Sequence, residues 1–504
     1  MKRVLWFVAF LLLASSCQGQ KSASDPVRQP VFAGQFYPGD PTKLTNAIKA
    51  FLDEAKPSTL DEPIAIIAPH AGYVFAGQII ADAYNQVKGK EYDIIVVLGT
   101  NHTTAGFDKI AIYPHGAFGT PIGDVEVAGD LADELMKKDP DVIANLAVHA
   151  QEHSIEVQLP FVKYLFPKTK ILPMIVGAPD IEMCQRFGDA VAGILVGKKV
   201  LIIASSDLSH YPRFDDAINV DDKTLNTIAT LDLNSIRSVM ESQLDRGTPG
   251  LVTCACGEAP IIAAIATAKE LGATSASVVS YTNSGYTPLG SADRVVGYGS
   301  VVIGRGKMTS TKESDTSAIG ESYVLNSADK SALLKYARAT LVRYFSTETV
   351  PLLRRIGHLQ KMKRGAFVTL NENGELRGCI GYMMEDRPLG AVVGAMAMQA
   401  AFNDPRFQPL REDELSKAEI EISVLTPFTR VKSADDIVLG RDGVVIKKGD
   451  KQGVFLPQVA TETGWTKDVF LDQLCHKAGL ESGDWKNAEL FTFQADVFSE
   501  PKNH

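Results

Sequence analysis

Six of the nine histidines lie between positions 70 and 210, and three of them directly follow short apolar runs. Ile64–Ala68 leads into Pro69-His70-Ala71-Gly72-Tyr73. Ile94–Leu98 leads into Gly99-Thr100-Asn101-His102, and Val200–Ala204 into Ser205-Ser206-Asp207-Leu208-Ser209-His210. Imidazole is both the commonest metal ligand and the proton carrier of neutral pH, and either role suits this pattern. Open α/β sheets keep their functional crevice outside the carboxyl ends of the strands, so three rings delivered from three strand ends converge there. Asp207, three residues before His210, is placed to orient that ring. His153 sits in Gln151-Glu152-His153-Ser154-Ile155-Glu156 at a helix start, where it lines the pocket or caps the helix. His115 and His149 have no supporting pattern and read as structural or solvated. Ser206, Asp207 and His210 have the residue types of a hydrolase triad. They lie too close in sequence, however, and the chain has no Gly-x-Ser-x-Gly elbow. Cys-x-x-Cys, His-Glu-x-x-His and the Gly-rich phosphate loops are absent too.

A second constellation lies far downstream. In Leu376-Arg377-Gly378-Cys379-Ile380-Gly381, strand alternation puts Arg377, Cys379 and Gly381 on one face. A guanidinium beside a thiol lowers its pKa and makes it reactive. The competing reading is a packed cysteine next to a structural arginine. Asn403-Asp404-Pro405-Arg406-Phe407 ends a helix and adds Asp404 and Arg406 to this candidate site.

The elements that must hold these residues follow from the hydrophobic pattern. The short β-branched runs, with Ile171–Val176 and Val278–Tyr281 added, read as strands buried on both faces. Helical spacing covers Gly77–Val87, Val127–Lys137, Ile155–Leu165, Ile181–Leu195 and Asp216–Thr227, and Arg294–Ile303 reads as a late strand. This alternation predicts an α/β domain with a mainly parallel sheet. Lys307–Ser322 holds seven Ser/Thr among sixteen residues and reads as a linker. Beyond it come a helix over Ala328–Phe345 capped by Ser327, and a hairpin Ala366–Asn371/Glu375–Tyr382 turning at Asn373-Gly374. A helix over Pro388–Phe402, strands Glu419–Thr426 and Gly443–Lys448, and a helix around Trp465–Ala478 complete a smaller α+β domain.

Composition narrows the class. The 504 residues carry Lys+Arg 51 against Asp+Glu 60, a net charge of -9 that argues against nucleic-acid binding. Lys2 and Arg3 precede eleven apolar residues, Val4 to Ala14, and then Ser15-Ser16-Cys17. That is a secretory signal, too short to span a bilayer, and Cys17 after small residues resembles the bacterial lipobox. The expected protein is exported to the bacterial cell envelope and held to a membrane only by lipid on Cys17. Five cysteines remain, an odd number that gives at least one thiol a role outside a disulfide.

Ala68–Tyr73, Leu98–His102, Glu152–Glu156, Ser205–His210, Cys256-Gly257 and the early Ala33-Gly34-Gln35-Phe36-Tyr37-Pro38 resemble the Memo family, whose members are similar to class III extradiol dioxygenases. The resemblance implies that His70, His102 and Cys256 face a metal ion, Fe or Cu with Zn as a further candidate. It places His210 beside the metal as acid/base, so that His210, Asp207 and His153 form the candidate catalytic set. Cys256 stands where the dioxygenases have a carboxylate, which weighs against ring cleavage. Glu258 matches no ligand position, and Cys254 reads as a core residue. Leu376–Gly381, Ala401–Phe407, Leu456-Pro457 and Gly464-Trp465 resemble the AMMECR1 family, a partner of Memo-like proteins and a radical-SAM enzyme in the AmmeMemoRadiSam group. The expected organisation is a signal over 1–17, a Memo-like domain over 27–306, a linker over 307–326 and an AMMECR1-like domain over 327–502. The expected activity is redox or metal-assisted chemistry on an unknown small-molecule or peptide substrate. The alternatives are non-catalytic metal or peptide capture in the same cleft, and thiol chemistry centred on Cys379.

Overall fold

The computed structural model describes residues 26–178, 180–308, 324–352, 359 and 362–501. The signal, Cys17 and most of the linker therefore lie outside the described residues.

Eight strands of the first domain build one sheet: β1 (Leu60–Ala68), β2 (Ile94–Thr100), β3 (Ile110–Ile112), β4 (Val142–Ala144), β5 (Lys170–Val176), β6 (Val200–Ser205), β7 (Ser275–Asn283) and β8 (Gly297–Met308). Their order is β7-β8-β1-β6-β2-β5-β3-β4. The central four, β1-β6-β2-β5, are parallel, whereas β7, β8 and the β5–β3 pairing are antiparallel. The sheet is thus mixed, with a parallel centre. Alternation sends Ile94, Val96 and Leu98 of β2 into one core and Ile95 and Val97 into the other. Every residue of β2 is buried, which is why its sequence is continuously apolar. Because β1, β6 and β2 are neighbours, the turns after them open at one edge of the sheet.

The second domain holds two four-stranded sheets. One has the order Glu375–Tyr382, Ala366–Glu372, Ala418–Leu425, Ala495–Ser499, with helices Ser327–Thr347 and Leu389–Phe402 packed on its core. The hairpin turns at Asn373 (φ 55°) and Gly374 (φ 82°), the left-handed pair expected of Asn-Gly. Two expectations need correction. Helix Ser327–Thr347 is capped by Asn326, whose side chain accepts from Ala328 and Asp329 while Asp329 accepts in return from Asn326 N; Ser327 is already helical. The backbone of β8 continues to Met308, so the first domain runs two residues into the expected linker. Among the described residues the chemistry-bearing hairpin strand sits at a sheet edge, with the Ala366–Glu372 strand as its ladder partner.

The two domains are docked. Arg343 Nη1 donates to Glu54 Oε2 (2.8 Å), Lys43 Nζ to Glu348 Oε1 (2.8 Å) and Arg387 Nη2 to the Thr287 carbonyl (2.9 Å). Lys363 Nζ lies 2.8 Å from Asp215 Oδ2. Arg343 also packs over the Phe51 ring, and Leu352 rests against the core of the first domain.

Candidate metal centre

The turns after β1 and β2 and the Glu152–Glu156 segment bring three imidazoles together. The donor atoms of His70, His102 and His153 all lie within 4.8 Å of one another. Ring centroids are 5.1 Å apart for His70–His102, 5.2 Å for His70–His153 and 4.7 Å for the nearly parallel His102–His153 pair. Cys256 Sγ sits 3.2 Å from His70 Nε2. Gly257, next to it, has no room for a Cβ, which would fall 2.4 Å from Ser206 Cβ. Gly99 is equally constrained, with Ile155, Ile175 and Ser154 atoms 2.7 Å from where a Cβ would stand. Glycine at these two positions lets the Cys256 and His102 turns close on their neighbours.

The partners of each ring decide which nitrogen is free. Glu152 Oε1 lies 3.0 Å from His102 Nδ1 and 3.3 Å from His153 Nδ1, and the carboxylate also accepts from the His102 and Ser154 backbone N–H groups. A carboxylate only accepts, so the His102 ring carries its proton on Nδ1 and keeps Nε2 bare, while the His153 ring lies beside the same carboxylate. Ser205 Oγ donates to the Ser154 carbonyl (2.6 Å) and accepts from Gln158 Nε2 (2.9 Å). Toward His70 Nδ1, 3.1 Å away, it can then only accept, which leaves the His70 Nε2 lone pair facing Cys256.

Burial, followed by the charges of the neighbouring histidines, holds His70 well below the usual imidazole range. Burial lowers His153 to about 4 although Glu152 opposes it, and burial lowers His210 to about 4. Burial would raise Glu152, but hydrogen bonds from His102 and Ser154 outweigh it and bring the carboxyl down to about 2. At neutral pH His70, His153 and His210 are thus uncharged nitrogen bases, with the Glu152 carboxylate beside them. Burial pushes the Cys256 thiol well up, a preference that a bound cation reverses because it takes the thiolate. Bare imidazole nitrogens with a thiol alongside and oriented outer partners are the donor set of Fe, Cu or Zn. The residues fit such an ion.

Other expected site residues fall as follows. His210 is partly buried, its Nε2 has no hydrogen-bond partner, and its charge is felt at His70. Asp207 does not orient His210. Its Oδ1 accepts from the backbone N–H of His70 (2.8 Å) and of Ala71 (3.2 Å), because β1 and β6 are adjacent and their turns face each other. Burial raises the Asp207 carboxyl to about 6. Glu258 opens helix Glu258–Glu270, where it feels Arg237 and Glu241. Cys254 is buried against Met240 and Gln243, and His149 is buried on the Ala111 carbonyl. Sequence reasoning gave no role to Glu152, Ser205 or Gln158. The visible signal was the Glu152/Glu156 pair bracketing His153.

In the second domain Cys379, Asp404 and Arg406 meet. Asp404 Oδ2 accepts from Cys379 N (2.8 Å) and Arg406 Nη2 (2.7 Å), and Arg406 Nη2 also donates to the Cys379 carbonyl. Arg377 is engaged elsewhere, by Glu414 (3.1 Å) and the carbonyls of Gln408 and Pro409. The guanidinium expected beside the thiol strand is therefore that of Arg406. The Cys379 thiol itself accepts from Thr369 Oγ1 (3.2 Å).

The family model for Memo-like proteins matches residues 28–302. The chain belongs to the Memo-like protein family. Its first domain is an α/β arrangement around a large mixed sheet, followed by a smaller β-rich domain. The AMMECR1 model matches residues 334–498, so this Memo-like chain carries both domains. It is similar to a MEMO1 family protein of Aquifex aeolicus (36% identical over 276 residues, covering 54% of this chain and 97% of that one). A MEMO1 family protein of Methanopyrus kandleri is 33% identical over 291 residues, covering 55% of this chain and 99% of that one. Among solved structures, an uncharacterized protein from Pyrococcus horikoshii is 34% identical and covers 33% of this chain and 89% of that chain, with TM-score 0.31. One from Escherichia coli K12 is 11% identical and covers 48% of this chain and 100% of that chain, with TM-score 0.30.

Proposed function

We propose that this Memo-like protein is a mononuclear metal protein whose first domain performs redox or metal-assisted chemistry. The supporting observation is the convergence of the imidazole donor atoms of His70, His102 and His153 within 4.8 Å of one another, with Cys256 against His70. His70 and His102 hold the ion, with His153 and the Cys256 thiolate as the remaining donors. Bound there, Fe or Cu supplies electron transfer, and Zn supplies polarisation of a substrate oxygen. The chain's own residues do the rest. Glu152 and Ser205 orient the rings, Asp207 holds the His70 turn, and His210, neutral with Nε2 unengaged, takes or returns a proton. Phe32 and Phe36 stand against His153 and limit access of water. A small molecule or a peptide side chain is the proposed substrate class. The protein is exported and tethered through Cys17, and its link to the radical-SAM enzyme of its group runs through a shared substrate or product.

Elemental analysis of purified protein tests this reading. One Fe, Cu or Zn per chain, lost in His70→Ala and reduced in Cys256→Ser, supports it. Metal-free wild type that takes up none of the three ions overturns it.

A further inference from the structure

The segment before helix Pro41–Asp53 packs against His153 of the candidate metal centre, and one buried carboxylate holds it there. Glu156, fully buried, accepts from Arg28 Nη1 (2.6 Å), Val31 N (3.1 Å), Phe32 N (2.7 Å) and Tyr37 OH (2.8 Å). All four donors come from residues 28–37, more than a hundred positions away in sequence. Arg28 adds bonds to the carbonyls of His149 (2.8 Å) and Glu152 (2.8 Å). The strap so pinned lays Phe36 4.7 Å and Phe32 5.6 Å from the His153 ring, centroid to centroid, and Phe36 O receives Tyr73 N.

We infer that Arg28 and Glu156 form a positioning clamp for the metal centre, fixing His153 as a ligand by holding the Phe32–Phe36 strap against it. This rests on the metal reading above and adds residues that touch no metal. Two features separate the clamp from ordinary buried ion pairing. Glu152 and Glu156 belong to one five-residue stretch that leads into the 3-10 helix Glu156–Gln158: Glu152 holds the imidazoles and Glu156 holds the strap, so movement at one reaches the other. Arg28 ties directly into the same turn through the Glu152 carbonyl. A histidine whose ring is supported on one side by Glu152 and packed by Phe36 has little freedom to swing away. Removing outer support of this kind typically weakens metal binding about 10–100-fold.

The test uses the full chain, stripped of metal and titrated with Co(II), whose ligand-field absorption reports the donor set, and with Zn(II) against a chromophoric chelator. The variants are Glu156→Gln, Arg28→Lys and Phe36→Leu, with His115→Ala as an exposed-histidine control. The clamp predicts a loss of Co(II) and Zn(II) affinity of about 10-fold or more in Glu156→Gln. It also predicts a shifted Co(II) band envelope in Glu156→Gln and Phe36→Leu, with His115→Ala like wild type. Should Glu156→Gln lose its near-ultraviolet circular dichroism, Phe36→Leu decides, since it leaves the ion pair intact. Wild-type affinity and spectrum in the folded variants overturn the clamp alone. Absence of saturable Co(II) and Zn(II) binding by wild type overturns the metal reading and the clamp with it.

Discussion

Cys256 and Cys379 are both partly exposed thiols on glycine-flanked segments, yet their surroundings differ in one decisive respect. Around Cys256 the polar groups point inward and stop short. His70 and His102 are braced from behind at Nδ1, His70 Nε2 meets the Cys256 thiol, and His210 Nε2 has no partner. Around Cys379 the network closes on itself, with Asp404 satisfied by Arg406 and Cys379 N, and Arg377 by Glu414. Buried polar atoms left unmatched are costly, and the three imidazoles gathered there could hold a metal ion. A closed network needs none. The difference fits the metal chemistry proposed for the first region and a structural role for the network around Cys379.

The sharpest way to break that contrast is metal content. His70→Ala is expected to reduce affinity for Zn(II) by more than about 100-fold, because it removes a ligand outright, while Cys379→Ser leaves it within about two-fold. Equal losses would erase the distinction. Next comes stability. Asp404→Ala strips the Cys379 N–H of its acceptor and frees Arg406, and should cost about 2 kcal/mol in chemical denaturation without altering metal content. A smaller effect separates the regions by pH. Asp221 is buried beside Tyr281 OH (2.8 Å) and accepts from Ser209 N (2.9 Å). Burial raises its carboxyl to about 7, against an ordinary value near 4. Folded protein keeps a proton that the unfolded chain loses, so this contribution is fully present below pH ~4 and disappears as pH rises to ~7. Wild type should therefore lose about 1 kcal/mol or more relative to Asp221→Asn across that window, and then run parallel to it. The smallest effect is chemical: Zn(II) should slow alkylation of Cys256 several-fold and change Cys379 by less than about two-fold, as read by peptide mass spectrometry.

How much was legible depended on whether a residue's role was local. The strand runs ending at Ala68, Thr100 and Ser205 were readable because strands buried on both faces carry continuous apolar sequence, and the histidines after them came with the strands. Helix Glu258–Glu270 was missed because it is buried all round from Ala259 to Ala268 and so shows no amphipathic period. The three-residue strands Ile110–Ile112 and Val142–Ala144 exist only as additions to the sheet edge and have no pattern of their own. Within the site, ring-bearing residues were visible by type, whereas Glu152, Ser205 and Gln158 act through contacts that only the folded chain creates. Asp207 shows the limit: proximity in sequence suggested His210, and strand adjacency gave it to His70.

The docking of the two domains bears on how the protein can be dissected. Arg387 is 5% exposed and Arg343 8%, although both belong to the second domain and reach the first through Thr287 and Glu54. A fragment cut at the linker would present both guanidiniums and Leu352 to solvent on one side, and take the Arg343 contact from Glu54 on the other. Each half serves as part of the other's interior. A failure of either half expressed alone would therefore report a lost neighbour as readily as a lost activity, and complementation with both fragments mixed is the fairer assay.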